Sequence, residues 1–553
     1  MGLSPSLGHF FHDLRACGHF LSALTVAAIA IGFPQRASAR PNTDDVPAAT
    51  SKPNVIIILA DDLGYGDLGC YGATNLKTPH LDRLAREGLR CTDGHSSSAT
   101  CTPSRFSLLT GRFAWRYRGT QILPGDAPLI IDPRSLTLPN MLRRAGYVSA
   151  CVGKWHLGLG VGSLNWNGEI KPGPLELGFD QAFIMPATGD RTPCVYVEDH
   201  HVANLDPQDP ISVRYGRPLA NEPAGRDHPE SLKMKLTHGH GDSIINGISR
   251  IGYMTGGQAA RWKDEEIADT FARRAVRFID ERVAAQTAAK ANAPAGKAVD
   301  VAPFFLYLPT HNVHVPRVPG PRFAGHSGCG VRGDVIEEFD DTVGQVLSAL
   351  DRLGVADNTL VIVSSDNGPV LDDGYDDGAE RDLKGHRPGG PWRGGKTSKY
   401  EGGTRVPLLV RWPARVNPGG SSALVCQVDL LASLAALVGV DLGDTPLDSR
   451  NLLPTLLGES AIGRETLVEQ GAGPGALAFR KGPWKLVPLE KVRPEPRRGS
   501  QNPAAELYNL EEDPGETHDL SGARPELVAQ LLQGLREAIQ PLATLPAAAD
   551  SPE

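Results

Sequence analysis

Four short runs of apolar residues, each ending directly on a polar cluster, limit what this chain can fold into. Val55 to Ala60 (VIIILA) runs into Asp61-Asp62, and Tyr147 to Val152 (YVSACV) runs into Gly153-Lys154-Trp155-His156. Phe304 to Leu308 (FFLYL) precedes His311 and His314, and Leu360 to Ser364 (LVIVS) runs into Asp366-Asn367. Continuous apolar runs of this length suit strands buried on both faces, as in a parallel sheet covered by helices. Helical spacing appears between them. Ile336, Phe339, Val343, Val346, Leu347 and Leu350 fall on one helical face, and Gly354 closes that segment. The expected fold is α/β, with a large mixed, mostly parallel sheet covered by helices. In such sheets the carboxyl ends of the strands line the ligand crevice. Four segments distant in sequence should therefore meet at one site.

The remainder of the chain sorts around this sheet. Loop-rich stretches from Gly158 to Gly257 and from Gly368 to Gly403 are dense in Gly and Pro, and are expected to roof the site and select substrate. Ala284 to Val301 (AAQTAAKANAPAGKAVDV) reads as a surface insertion of low complexity. Beyond about Leu456 the motifs thin. Short strands around Leu477 to Val487 and Leu507 to Leu510, then a helix from Pro525 to Ile539, predict a small C-terminal α+β subdomain over 456–545 behind a main domain of 52–455. With 553 residues, length alone admits three or four domains, which is an upper bound for a chain built on one large sheet.

At the N-terminus, Arg15 precedes an apolar stretch from Phe20 to Phe33, and Ala37-Ser38-Ala39 follows as a small-residue cleavage site. That order predicts a signal peptide over residues 1–39, hence a secreted or periplasmic protein. The stretch is short for a membrane anchor, and stable membrane insertion is not expected. Of the eight cysteines, Cys17 leaves with such a leader. Cys70, Cys91, Cys151, Cys194, Cys329 and Cys426 have no spacing that suggests a zinc site, and their pairing is open. Cys151, inside an apolar run, reads as a buried thiol. The net charge of −8 gives no general attraction to nucleic acid. Cations for an anionic substrate must then be concentrated locally.

Cys101-Thr102-Pro103-Ser104-Arg105 is followed by Thr110-Gly111-Arg112. This resembles the C-x-P-S-R…T-G-R signature of the formylglycine-dependent, arylsulfatase-like sulfatases of the alkaline phosphatase superfamily. The resemblance runs from Asn54 to about Leu520. It implies that a formylglycine-generating enzyme oxidises Cys101 to an aldehyde, which hydrates to a geminal diol. One hydroxyl attacks sulfur; the other lets the diol sulfate collapse back to aldehyde and expel sulfate, so no second nucleophile is needed.

The same resemblance gives each strand-end cluster a role. Asp61, Asp62, Asp366 and Asn367, together with the residue at 101, look like the ligands of one divalent cation. Hard oxygen donors suit Ca²⁺, with Mg²⁺ as the alternative. Arg105 would hold the formylglycine, Lys154 would orient the diol, and His156 would accept the proton as sulfate leaves. Lys396, in Gly-Gly-Lys ahead of Tyr400-Glu401-Gly402-Gly403, matches the lysine on the substrate sulfate. His314, in His-Val-Pro, matches the histidine beside the leaving-group oxygen, and His311 is its rival. Asp190 and Arg191, with Tyr196, His200 and His201 nearby, fall where sulfatases vary and are candidates for contact with a sugar. The implied substrates are sulfated carbohydrates or aryl sulfates. Two other readings stand beside this one: a phosphodiesterase or phosphonate hydrolase of the same superfamily, and a catalytically silent sulfoglycan-binding protein with Cys101 left as a thiol.

Overall fold

In the computed structural model, which describes residues 52–219, 222–292, 301–473, 475–495 and 502–542, the four apolar runs become four neighbouring strands. Thr359–Ser365, Asn54–Ala60, Phe304–Pro309 and Val148–Lys154 lie side by side and parallel at the centre of a ten-stranded sheet. Gln181–Met185 extends the parallel set. Antiparallel pairings of Leu408–Arg411 on one side and Val197–Glu198 on the other make the sheet mixed. Every residue of Asn54–Ala60 is buried. Each such Val, Ile or Leu stabilises the fold by roughly 1.5–3 kcal/mol relative to exposure, so a polar replacement there would be disruptive.

The helical face read around Ile336 to Leu350 belongs to Gly330–Arg352, and all six of those apolar residues are buried. Gly354 follows at φ +66°, a left-handed conformation that glycine adopts without steric penalty. This helix packs on Ile267–Ala291, which corrects one expectation. Ala284 to Ala291 is the last part of that 25-residue helix and not a surface insertion. Alanine is the strongest helix former, and low complexity conceals that; residues 293–300 lie outside the described residues. The strand Gln181–Met185 is likewise unmarked in the sequence, because its apolar run is only Ala182 to Met185 and period alone cannot assign so short a segment.

Helix Gly330–Arg352 carries a buried acid, Glu338, which accepts from Asn312 Nδ2 (2.8 Å) and the Gly320 amide (2.8 Å). Burial raises its carboxyl to about 7 despite those bonds. A raised folded-state pKa means that the folded protein holds the proton more tightly than the unfolded chain. Stability should therefore fall as pH rises from the ordinary carboxylate range toward 7. Glu338→Gln should flatten that slope, by an amount of order 3 kcal/mol at most. Melting temperatures of both proteins across that range would check this.

Beyond Leu456 a second, antiparallel sheet runs Thr466–Gln470, Leu477–Lys481, Trp484–Pro488 and Ala505–Asn509. Helix Pro525–Ala538 covers it with Leu531, Leu532 and Leu535. This unit reaches the centre of the molecule. The Ala99 amide donates to Gln470 O (2.7 Å), the Thr397 amide donates to Ala99 O (2.7 Å), and the Ala472 amide donates to Thr397 O (2.8 Å). Buried Glu516 accepts the amide of Glu401 (2.8 Å). The segments before Cys101 and around Lys396 are thus tied to the C-terminal sheet. The seven cysteines from Cys70 to Cys426 are all free thiols. The expected leader, residues 1–39, lies outside the described residues, among which no helix is long and apolar enough to cross a membrane.

Candidate active site

The four central strands end on the same edge, so their polar clusters meet across three strand spacings, ~14 Å. Asp61 and Asp62 follow Asn54–Ala60, Asp366 and Asn367 follow Thr359–Ser365, and all four are fully buried. The Asp62 amide donates to Asp366 Oδ1 (3.3 Å), and Asn367 Nδ2 donates to Asp62 Oδ1 (2.7 Å). Cys101 begins the helix Cys101–Thr110, in which every residue is buried. Its sulfur lies within 4.8 Å of carboxylate oxygens of Asp61 and Asp62.

The local sequence explains why that helix sits there. Pro103 occupies the first turn, where a missing N–H loses nothing. Ser104 Oγ donates to Ser98 O (2.8 Å) and fixes the preceding loop. Thr110 Oγ1 donates to Phe106 O, and Gly111 at φ +65° caps the helix, its amide bonding Ser107 O (2.9 Å). Arg112 then donates to Pro446 O (3.1 Å). The Thr-Gly-Arg half of the signature is thus a helix terminus and its anchor. Arg105 instead points inward: Nε and Nη2 donate to Asp366 Oδ2 (2.9 and 2.7 Å), and Nη1 donates to Lys154 O (2.9 Å).

Three buried carboxylates here meet three cations. Lys154 pairs with Asp61; Lys396 Nζ reaches Asp62 Oδ2 (2.9 Å) and Asp373 Oδ2 (2.7 Å). The balance is uneven. Burial and the neighbouring Asp366 push Asp61 well above the ordinary carboxylate range. Burial acts upward on Asp366 too, but Arg105 and Lys154 outweigh it and hold that group low. Asp61 Oδ1 and Asn367 Oδ1 are buried with no hydrogen-bond partner. Buried oxygens left unpaired beside crowded carboxylates are costly unless a cation serves them. The oxygen-rich donor set fits a hard divalent ion.

The histidines differ in their free atoms. His156 Nε2 bonds Leu123 O (3.0 Å), which makes it the N–H, while Nδ1 is buried with no partner. His314 Nδ1 bonds Val315 O (2.7 Å), leaving Nε2 to face Asp62 and Asp373 at 3.8 and 3.9 Å. Burial, with Lys154 beside His156 and Lys396 beside His314, holds both imidazoles neutral. His311 has neither ring nitrogen bonded, is lowered to about 3 chiefly by burial, and lies 5.9 Å from the His314 ring. A side chain at Gly189 would strike it, at 2.6 Å. Burial pushes the Cys101 thiol up to about 12, so an unmodified thiol would be a poor nucleophile near neutrality.

Asp190 and Arg191 pair with each other (2.8 Å) at this site, and the Arg191 charge acts on His156 and Cys101. Tyr196, His200 and His201 are not brought in. Tyr196 joins an aromatic cluster with Phe183, Trp262 and Phe271. His200 pairs with Glu176 (3.0 Å), and His201 is exposed in an edge strand. Proximity in sequence is a poor guide there, because the chain leaves the site between Arg191 and Tyr196. Two further residues at the site carry no sequence signal: Asp373, bonded to Lys396, and His240, whose Nε2 bonds Asp190 Oδ2 (2.8 Å). Both lie in roofing loops without a fixed motif, so only three-dimensional proximity marks them.

Sheet and site together define a hydrolase of the mixed α and β class, built for an anionic ester. Residues 53–440 match the sequence model of the sulfatase family. The N-acetylgalactosamine-6-O-sulfatase of Bacteroides thetaiotaomicron is 48% identical over 87% of this chain and 92% of its own length. Human arylsulfatase A is 32% identical over 89% of this chain and 87% of its own. A solved structure from work on the metabolism of multiple glycosaminoglycans by Bacteroides thetaiotaomicron superposes with a TM-score of 0.82 at 47% identity, covering 89% of this chain and all of that one. The chain belongs to the sulfatase family, hydrolases of sulfuric esters with an alkaline-phosphatase-like fold.

Proposed function

We propose that this protein is an exported sulfatase acting on sulfated carbohydrates, with 6-O-sulfated N-acetylgalactosamine as its first candidate substrate. The reaction is supported above all by Cys101 lying against Asp61 and Asp62 at the start of a buried helix. The sugar is supported by the relative named for it. Export rests on the leader pattern of residues 1–39, and the division at about residue 456 rests on the separate apolar core of the C-terminal sheet.

Cys101, converted to formylglycine by a formylglycine-generating enzyme, supplies the diol. Asp61, Asp62, Asp366 and Asn367, with the modified residue, would hold one Ca²⁺. When bound, that ion polarises the diol and offsets sulfate charge. Arg105 fixes Asp366 and the backbone of Lys154, so it positions the ligand set as a unit. Lys154, Lys396 and Arg191 form the positive lining for sulfate oxygens. His156 Nδ1, unpaired and unprotonated, takes the diol proton as sulfate is expelled. His314 Nε2 faces the ester oxygen of the departing alcohol, while Asp190 and Arg191 contact the sugar.

Purified protein should release sulfate from 6-O-sulfo-N-acetylgalactosamine faster than it hydrolyses matched phosphate esters. Chelation should abolish turnover, and Ca²⁺ should restore it more fully than Mg²⁺. Preferred turnover of phosphate or phosphonate esters, by protein carrying two zinc ions, would replace this reading with the phosphoryl-transfer one.

A further inference from the structure

Tyr196, absent from the active site, belongs instead to the floor of a separate groove of about 460 Å³. That volume lies within the usual range for ligand sites. The groove runs between the edge of the large sheet and the first half of helix Ile267–Ala291. Its floor is aromatic: Tyr196 lies 4.8 Å from Phe183 and 5.7 Å from Trp262, ring centre to ring centre. Its rim is cationic, with Arg261, Lys263, Arg273, Arg274 and Arg277, on a chain whose net charge is −8.

Three of these cations are already paired. Arg274 meets Glu198 (2.6 Å) while lying over the Phe183 ring, Arg277 meets Glu281 (2.7 Å), and Lys263 meets Glu266 (3.0 Å). Arg261 donates to the Gly256 carbonyl and Arg273 to Thr270 Oγ1, and neither has a carboxylate at ion-pair distance among the described residues. On the floor the Tyr196 ring is partly exposed, while Trp262 is buried. Two guanidinium groups without anions beside that ring suit a ligand with anionic oxygens and an apolar face.

We propose that this groove is a second, non-catalytic site for a sulfated saccharide chain, and this rests on the sulfated-carbohydrate reading of the active site. Arg261 and Arg273 hold a sulfate group through charge-assisted hydrogen bonds. The partly exposed Tyr196 ring takes a sugar face. The chain from Arg191, at the catalytic site, to Tyr196 spans at most ~18 Å. An oligosaccharide of a few sugars is long enough to bridge that separation, and a chain held in the groove would raise the local concentration of sulfate esters at the nucleophile.

The test uses the full-length protein and two probes, 6-O-sulfo-N-acetylgalactosamine and chondroitin 6-sulfate, with unsulfated chondroitin as control. Arg261→Ala combined with Arg273→Ala should leave kcat/KM on the monosaccharide within about twofold of wild type. In a Cys101→Ala background, which leaves the sulfate esters of the polymer in place, the same pair should weaken binding of chondroitin 6-sulfate about tenfold or more. Removing two exposed cations elsewhere, Arg86→Ala with Arg144→Ala, should change polymer binding little. The proposal is overturned by unchanged polymer binding in the groove variant, by equal loss in the control pair, or by equal binding of unsulfated chondroitin. Wild-type protein that fails to desulfate the monosaccharide would count against the catalytic reading alone, since the binding comparison does not need turnover.

Discussion

Cys101→Ala should lower sulfate-ester turnover by roughly 10⁴-fold or more, the scale on which enzymes lose activity when their nucleophile is removed. The helix Cys101–Thr110 should survive, because alanine is the better helix former and the buried site tolerates the smaller side chain. Melting temperature should therefore move little while activity disappears. The same residue gives a second readout. In protein from a host able to modify it, the peptide containing Cys101 should show thiol sulfur replaced by carbonyl oxygen. Burial raises the plain thiol to about 12, so a population left unmodified should be inactive near neutral pH. Full activity in protein whose Cys101 is wholly unmodified would remove the formylglycine mechanism.

His314→Ala should separate two classes of ester. A sugar alkoxide is strongly basic and leaves only with a proton, whereas a nitrophenolate leaves without one. Assistance by a general acid amounts to roughly 10²–10⁴-fold where it operates. His314 Nδ1 is occupied by Val315 O, so Nε2 is the ring atom available to the ester oxygen. That atom carries no proton in the resting protein, because burial and Lys396 hold the ring neutral. An anionic sulfate lying between Lys396 and His314 offsets that repulsion and favours the protonated ring. The loss on His314→Ala should then be large for sugar sulfates and much smaller for an activated aryl sulfate. Asp61→Ala should harm both alike, since it removes support common to every substrate. Lys396→Ala should fall between. Comparing kcat/KM for each variant on both esters decides the matter. Equal losses for His314→Ala on the two would move the acid role to His311, whose ring nitrogens are both unpaired.

Much of this site is legible in the amino-acid sequence, for reasons visible in particular residues. Asp61, Asp366 and Lys154 each follow or end a strand whose apolar run is long enough to recognise. The residues of the Cys101 signature share one helix and its cap, so their fixed offsets carry a local meaning that spacing preserves. Helix Gly330–Arg352 is readable because its buried face repeats over several turns. Helix Ile267–Ala291 is only half readable: its alanine-rich end is exposed in part and shows no amphipathic period.

Local pattern does not supply which segments touch. The Asp62 amide meets Asp366 across 304 residues, Arg105 meets Asp366 across 261, and Lys396 meets Asp62 across 334. Asp373 and His240 enter the site only because their loops fold over it. The C-terminal unit, an appendage by its sequence, grips the backbone beside Cys101 and Lys396 through Gln470 and Ala472. Tyr196, near Arg191 in sequence, is carried out to an aromatic groove by a turn of the chain. The strands, the signature helix and the chemistry of the residues they carry follow from the order of amino acids alone, because propensity, periodicity and capping act over a few residues. The order of the strands, the partners of each charge and the second groove arise only on folding, because they depend on packing between segments whose separation along the chain leaves no local trace.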